Sequence, residues 1–588
     1  MNLTRFHLKK TATNAYTCCR FLPNRWDLIA FLLIISVFAM VISALHEMMA
    51  PIDVLHAKKI SLDILNLPEY ALRTTVRLLA AIVISIVFTI IYGTFAAKSR
   101  RARKILILIL DILQSVPILG YISFTVPFFL ALVPDHVLGP ELSAIFAIFT
   151  SQAWNITFSF YQSLRTIPRD LDEVSNSLHL TLWQRFWKLE IPFSIPGLVW
   201  NIVMSMSGGW FFVVASEAVS VDNKIIILPG IGSYLAQAIS DKNLGAIGWA
   251  ILTMTIVIFL HDQIIFRPLL AWSDKFRVEN TSIGSAPKSY ILDLVRRTHL
   301  IRCIFIPVCS FFKKAACIRI QLRHSRLIHS FFLLLRNQKI SRVIDIIWAT
   351  IVIIGTIDFV YYSINYLVIG VTFSDICQVF TLGLITLIRV IVLIIIVSVI
   401  WVPIGVWIGL NPSLAEKLQP IVQFLAAFPS NLLFPLFVVI IEREHLNADI
   451  WLSPLIILGA QWYILFNVIA GAVSYPNDYR EAATNFRIHG WQWWQKVMLP
   501  GIFPYYITGA ITASGGAWNA SIVSEFVQWG NIKIEAHGLG AYMSKMTIAG
   551  DYPKIILSII VMSLFVTFFN RLLWRPLYTY AEENLRLD

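Results

Sequence analysis

The chain has 588 residues, of which 57% are hydrophobic and only 14% charged, and its mean hydropathy is +0.72. A soluble globular chain carries about 25% charged residues, so the composition excludes a water-soluble fold and marks a polytopic helical membrane protein. Its apolar stretches are continuous rather than alternating, which excludes a membrane barrel. The net charge of +13 does not point to nucleic acid, because the basic residues lie in short runs between apolar segments. That is the pattern of loops facing the cytoplasm and anionic lipid.

A spanning helix needs about 20 mostly apolar residues. Taken in chain order, candidates in the first half are 28–46, 72–95, 105–133, 138–163, 195–216 and 246–266. Those in the second half are 343–368, 379–410, 418–441, 450–472, 501–523 and 553–570. The first run follows Arg5, Lys9, Lys10, Arg20 and Arg25 and is long for a signal-peptide core, so it reads as an uncleaved first span. With the N-terminus inside, the basic loop 98–104 (KSRRARK), the segment 165–192 and the linker 267–342 all fall inside. The linker alone carries fifteen Lys or Arg against three acids. This positive-inside bias places both termini in the cytoplasm.

The expected architecture is therefore all-α and polytopic, with about 12 transmembrane helices. Residues 1–270 form a first six-helix unit, 271–342 a basic cytoplasmic or interfacial linker, and 343–588 a second unit. Within the linker, 300–335 mixes aromatic and aliphatic residues with Arg and Lys, as in an amphipathic segment lying at the membrane surface. Of the six cysteines, Cys18, Cys19, Cys303, Cys309 and Cys317 fall on the inner side, where thiols stay reduced, and Cys377 has no neighbour to pair with. Cys18-Cys19 lack a second pair at metal-ligand spacing, so no metal site is expected.

The chain repeats itself. A shift of 308 residues lays Trp154 on Trp462, Pro168 on Pro476, Glu173 on Glu481, Trp183-Gln184 on Trp491-Gln492, and Pro192 on Pro500. The same shift lays Gly208 on Gly516, Trp210 on Trp518, Glu217 on Glu525, and Gly230 and Gly232 on Gly538 and Gly540. Further upstream the shift is 312, which lays Arg77 on Arg389 and Pro117 on Pro429. Shared hydrophobicity would match Leu and Ile, not this set of Trp, Pro, Gly and Glu. Two parallel copies of six helices imply a pseudo-two-fold axis along the membrane normal, with a pathway between the halves.

Between the fourth and fifth span of each half lies a polar segment: EVSNSLHLTLWQRFWKLEIP at 173–192 and EAATNFRIHGWQWWQKVMLP at 481–500. Each is expected to form two short helices with a central break. Thr181 with Gln184 fits a capping box, Gly490 offers the break in the second copy, and Pro192 and Pro500 end the segments. These segments resemble the EAA loop of the permeases of bacterial type I ATP-binding-cassette importers. The match is good at Glu481-Ala482-Ala483 and degenerate at Glu173-Val174-Ser175, and His179 and Arg487 stand where that loop has Gly. The segments 207–220 and 228–235, with their counterparts 515–528 and 537–543, resemble the nitrate, sulfonate, taurine and bicarbonate group of these permeases.

The resemblance implies a fused importer permease of the bacterial inner membrane. Its coupling loops, with Glu173, Val174, Ser175, His179, Trp183, Glu481, Ala482, Ala483, Arg487, Gly490 and Trp491, would dock on two ATP-binding-cassette subunits. ATP and Mg would belong to those partners, since no GxxxxGK[ST] loop occurs here; the chain itself would be no enzyme and hold no cofactor. The substrate would be a small anion delivered by an extracytoplasmic binding protein. Intramembrane ionisable residues are functional candidates by default. Arg77 and Arg389 attract an anion, pair with acids or snorkel to an interface. Gly208 and Gly516 either permit close packing or line a passage, and Trp210 and Trp518 either wall the pathway or pack. Glu217 and Glu525 are placed at the outer ends of the fifth spans, as gates, receptor contacts or solvated helix ends. An ion-coupled secondary transporter would need intramembrane acids and often inverted repeats, and a non-transporting scaffold would have no use for a duplicated coupling loop.

Overall fold

A computed structural model describes residues 60–276 and 338–585, apart from 116, 117, 135, 222, 223 and 531, together with isolated positions between 298 and 318. The expected first span, Pro117 and most of 300–335 lie outside the described residues. The chain packs into two compact units. One comprises Met1–Glu47, Ser159–Trp200 and Leu260–His329; the other comprises Met48–Phe158, Asn201–Phe259 and Ser330–Asp588 and so draws on both sequence halves.

Among the described residues, six helices are long and apolar enough to cross a membrane alone, and two bent pairs raise the number to eight. The bent pairs are Ser413–Ala427 with Ser430–Arg443, at 69°, and Ala448–Leu458 with Gln461–Val473, at 43°. The first bend has a local cause. Phe428 precedes Pro429 and is extended, with ψ 127°, because the proline ring clashes with a helical residue before it. The expected stretch 105–133 forms two helices, Arg100–Ser115 and Ile118–Leu132. Stretches 138–163 and 501–523 form Leu138–Arg165 and Leu499–Ser524. These two are long but rich in Ser, Thr, Gly, Asn and Gln, as suits helices that face other helices rather than lipid.

The change of register between the copies is also localised. It falls between Pro117/Pro429 and residues 141/449, where the first copy has the 15-residue helix Ile118–Leu132 and the second the 10-residue helix Phe434–Arg443. The second copy is shorter there by about one helical turn.

In the larger unit the core of the second half is built on Phe373–Gly409, Gln461–Val473 and Leu499–Ser524. Thr372 and Asp375 cap the first of these reciprocally. Small residues let the helices approach. A Cβ on Gly509 would lie 2.8 Å from the Tyr463 carbonyl oxygen and 3.1 Å from Ile464 Cα. After the fifth span of each half comes a short antiparallel ribbon that the sequence reading did not anticipate. Ribbon strands β1 (Ala218–Val221) and β2 (Lys224–Ile227) pair in the first copy, and β3 (Phe526–Trp529) and β4 (Ile532–Glu535) in the second. Each ribbon leads into a further helix, Ile231–Ser240 or Leu539–Ala549.

One expectation is corrected. Pro192 and Pro500 do not end the polar segments. The chain passes helically through π-turns, Phe186–Glu190 and Trp494–Met498, directly into Ile191–Glu217 and Leu499–Ser524. A proline is tolerated in the first turn of the following helix because the wider turn alters the hydrogen-bond ladder that its missing N–H would interrupt.

The Gly509 contact predicts that Gly509→Val lowers stability by about 1–3 kcal/mol, because backbone and not a flexible side chain must yield. Gly248→Ala, with open space around its Cβ, is expected to be neutral or stabilising by up to about 1 kcal/mol. Thermal unfolding midpoints of the two purified variants check this ordering.

Candidate functional site

The larger unit holds two copies of one buried polar cluster. In the first, the Glu217 carboxylate accepts from Arg77 Nη1 at 2.7 Å, Thr74 Oγ1 at 2.6 Å and the Gly232 backbone N–H at 2.6 Å. Thr74 Oγ1 in turn accepts from the Ile231 N–H at 3.1 Å. In the second, Glu525 accepts from Arg389 Nη1 at 2.6 Å, Thr386 Oγ1 at 3.0 Å and the Gly540 N–H at 2.8 Å, and Thr386 Oγ1 accepts from the Leu539 N–H at 2.9 Å. Both carboxylates therefore cap the N-terminus of the helix after the ribbon, where free amides and the helix dipole favour negative charge. The glycines are a steric requirement. A Cβ on Gly230 would collide with the Glu217 carboxylate and one on Gly232 with the Val214 carbonyl oxygen; Gly538 and Gly540 face Glu525 and the Ser521 carbonyl oxygen in the same way.

The clusters differ in their second acid. Arg77 is fully buried and grips Glu141 with two hydrogen bonds, Nε at 2.5 Å and Nη2 at 2.6 Å. The matching acid is Asp449, one methylene shorter. Its carboxylate stands 3.6 Å from Arg389 and is 39% exposed. It binds instead the backbone N–H of His537 at 2.6 Å and the imidazole at 3.0 Å, while Arg389 Nη2 donates to the His537 carbonyl at 3.2 Å. The first cluster is sealed and the second opens to solvent.

Arg77 and Arg389 are thus engaged by acids, one of the three alternatives the sequence left open. Glu217 and Glu525 are buried, so the solvated-helix-end reading is overturned: the backbone turns back over each carboxylate and supplies its donors. Trp210 and Trp518 are buried too. Thr74, Thr386, Glu141 and Asp449 were missed. The signal was available, since Thr74 and Thr386 share the 312 shift and Glu141 and Asp449 the 308 shift.

Gly208 and Gly516 line a cavity of about 190 Å³ in the same unit. Its walls come from equivalent positions of the two copies: Gln114 with Ala426, Ser151 with Gly459, Asn155 with Tyr463, Gly208 with Gly516, Phe211 with Asn519, and Phe212 with Ala520. Apart from Gly208 and Gly516, the positions match while the side chains do not.

The polar segments repeat one local conformation. Helices Arg169–Ser177 and Leu182–Arg185 occupy one segment, and Asn477–Asn485 and Gly490–Trp493 the other. The breaks fall at His179, φ 48°, and Arg487, φ 55°, so the two residues standing at the Gly position of the EAA pattern adopt the left-handed conformation that glycine would supply. Gly490 is also left-handed, at φ 62°. In the first segment Thr181 and Gln184 form the capping box, Gln184 Nε2 donates to the Cys317 carbonyl, and Arg185 joins Asp172 at 2.6 Å and Glu190 at 3.3 Å. Glu173, Val174 and His179 are exposed, Ser175 is buried and Trp183 is 36% exposed. In the second segment Glu481, Arg487, Gly490 and Trp491 are exposed, Ala482 is half-buried and Ala483 buried. Phe486 at 79% and Trp491 at 69% exposure give this loop an aromatic tip.

The family model for binding-protein-dependent transport system inner membrane components matches residues 85–266 and again 401–574. The bicarbonate transport system permease protein of Synechococcus elongatus is 32% identical over 139 residues, 24% of this chain and 49% of that protein. The nitrate import permease protein of Leptolyngbya laminosa is 28% identical over 171 residues, 29% of this chain and 58% of that protein. The glycine betaine transport system permease protein of Bacillus subtilis is 26% identical over 226 residues, 38% of this chain and 72% of that protein. The chain spans about half the length of the first two of these relatives.

Two predictions follow from the geometry. Arg77→Leu strands two buried carboxylates and is expected to cost about 3–5 kcal/mol, whereas Arg389→Leu costs less because Asp449 reaches water. Thermal midpoints and detergent-soluble yield of the pair read this; an equal loss would show that the second cluster is as sealed as the first. Arg487→Gly is expected to stabilise its turn by about 1 kcal/mol, which slows amide exchange across 484–490 roughly fivefold. Unchanged exchange would show that the side chain compensates for its strained backbone.

Proposed function

The chain belongs to the family of binding-protein-dependent transport system inner membrane components, and on that premise we propose that it is a single-chain permease carrying both halves of the pathway of an ATP-driven importer. The observation that carries the reading is the cavity whose walls come from equivalent positions of two tandem copies. A passage shared by two repeats is lined in that way.

In this reading the termini and basic loops face the cytoplasm, and the Glu217 and Glu525 clusters lie at the outer ends of the pathway. Segments 173–192 and 481–500 dock on two separate ATP-binding-cassette subunits. In the second copy, segment and cluster stand at opposite ends of Leu499–Ser524, a rod of about 39 Å at 1.5 Å per residue. A push on the aromatic tip at Phe486 and Trp491 is carried along that rod to the Glu525 cluster, where the fifth span is tied to Phe373–Gly409. Because the donors around each carboxylate come from several segments, the clusters hold the outer ends together as the inner ends move. An extracytoplasmic binding protein delivers the solute. The substrates for which the relatives are named, bicarbonate, nitrate and glycine betaine, support a small solute bearing an oxyanion group, within the range of nitrate, sulfonate, taurine and bicarbonate.

The test is co-purification from native membranes, comparing the wild type with a Glu173→Ala/Glu481→Ala variant. An ATPase subunit is expected with the wild type and is lost or uncoupled in the variant. Failure of any ATPase to associate, in mild detergents and after crosslinking, sinks the importer reading and favours a secondary transporter or a scaffold.

A further inference from the structure

The cavity carries more information than its position. Among the described residues that line it there is no Arg, Lys, His, Asp or Glu. Arg77 and Arg389 are engaged by Glu217, Glu141 and Glu525, and Arg73 by Glu69. A bare anion entering this cavity would lose its hydration without meeting a counter-charge, which is the costly case for buried ions.

What the walls offer is a neutral mixture. The Thr150, Ser151 and Thr512 hydroxyls donate to the carbonyls of Ala147, Ile148 and Thr508, and so turn lone pairs rather than protons outward. Trp154 contributes ring surface to the wall, while its indole Nε1–H is buried out of reach of the cavity. Gln114 and Asn155, bonded to each other at 3.0 Å, add amide groups. Aromatic rings complete the walls, Phe211 and Phe428 among them, and ring faces attract ammonium groups. The volume of about 190 Å³ suits a molecule slightly larger than benzene, which fills a cavity of about 150 Å³.

The copies also contribute unlike side chains at matching positions. Asn155 stands opposite Tyr463 in the repeat, and Phe211 opposite Asn519. A symmetric ligand has no use for that difference, whereas a molecule with unlike ends is oriented by it.

We propose that the solute accommodated in this cavity is a small zwitterion, carrying an ammonium group and a carboxylate or sulfonate in one molecule, and not a free inorganic anion. The ammonium end lies against the aromatic faces and hydroxyl lone pairs, and the oxyanion end takes the side-chain amides of Gln114 and Asn155. The solute brings its own counter-charge, so the walls need none. This assignment rests on the permease reading above and sharpens its substrate.

The test is ATP-dependent uptake into vesicles containing the full chain and its co-purifying ATPase and binding protein, with labelled glycine betaine, taurine, nitrate and bicarbonate as probes. Uptake of one or both zwitterions, with the two inorganic anions at least tenfold slower, is expected. Asn155→Leu keeps the volume and loses the amide, and should raise KM for the zwitterion about tenfold. Asn519→Arg adds a cation and should reduce zwitterion uptake at least tenfold while the ATPase still co-purifies. ATP-dependent uptake of nitrate or bicarbonate at comparable rates overturns the zwitterion assignment and leaves the permease standing. So does the absence of uptake of all four probes by a complex that retains its ATPase, or wild-type behaviour of both variants. Failure of any ATPase to associate overturns both readings.

Discussion

A carboxylate buried at the end of a membrane helix is tolerable only if the surrounding chain supplies its solvation, and the end of each copy that holds one is arranged around that requirement. Glu217 and Glu525 each sit where a fifth span stops. To satisfy them the backbone folds back as a ribbon, places two glycines against the carboxylate and starts a new helix with its amides aimed at the charge. The arginine three spans earlier completes the balance. Removing any one partner leaves the others buried without compensation, so the ribbon, the glycines and the arginine hold together as a set.

That requirement also explains the division of labour along the spans. The ionisable residues are drawn to the two clusters, and the cavity walls are left to amides, hydroxyls and rings. Where both copies meet the same constraint they use the same residue types. In the cavity, Gly208 and Gly516 apart, matching positions have diverged.

Much of this was legible in the sequence because long apolar runs, positive loops and a repeat in Trp, Pro, Gly and Glu survive without knowledge of contacts. The two short helices of each polar segment and the Thr181 cap follow from local chemistry. The clusters were only half legible. Arg77, Arg389, Glu217 and Glu525 were singled out, but their side-chain partners lie 60 to 143 residues away in the chain, and hydropathy carries no such pairing. Glu141 and Asp449 were hidden by being different acids, and Thr74 and Thr386 by being ordinary threonines. The ribbons escaped because strands of four residues are too short for a period to show. The left-handed His179 and Arg487 show the converse limit: a missing glycine cast doubt on the turn, yet the turn persists because the adjoining helices determine it.

The π-turns bear on descent. They occur at Phe186–Glu190 and Trp494–Met498, and again at Asp262–Phe266 and Asn570–Trp574, each pair separated by the repeat. A turn of this kind amounts to one residue inserted into a helix. Insertion at the same two places in both copies is economically inherited once, so the ancestral unit already contained both turns before it was doubled. By the same logic the buried carboxylate with its threonine, arginine and glycines is ancestral. The Asp172–Arg185–Glu190 ion pairs, whose counterparts are Arg480, Trp493 and Met498, belong to one copy alone and record its separate history since.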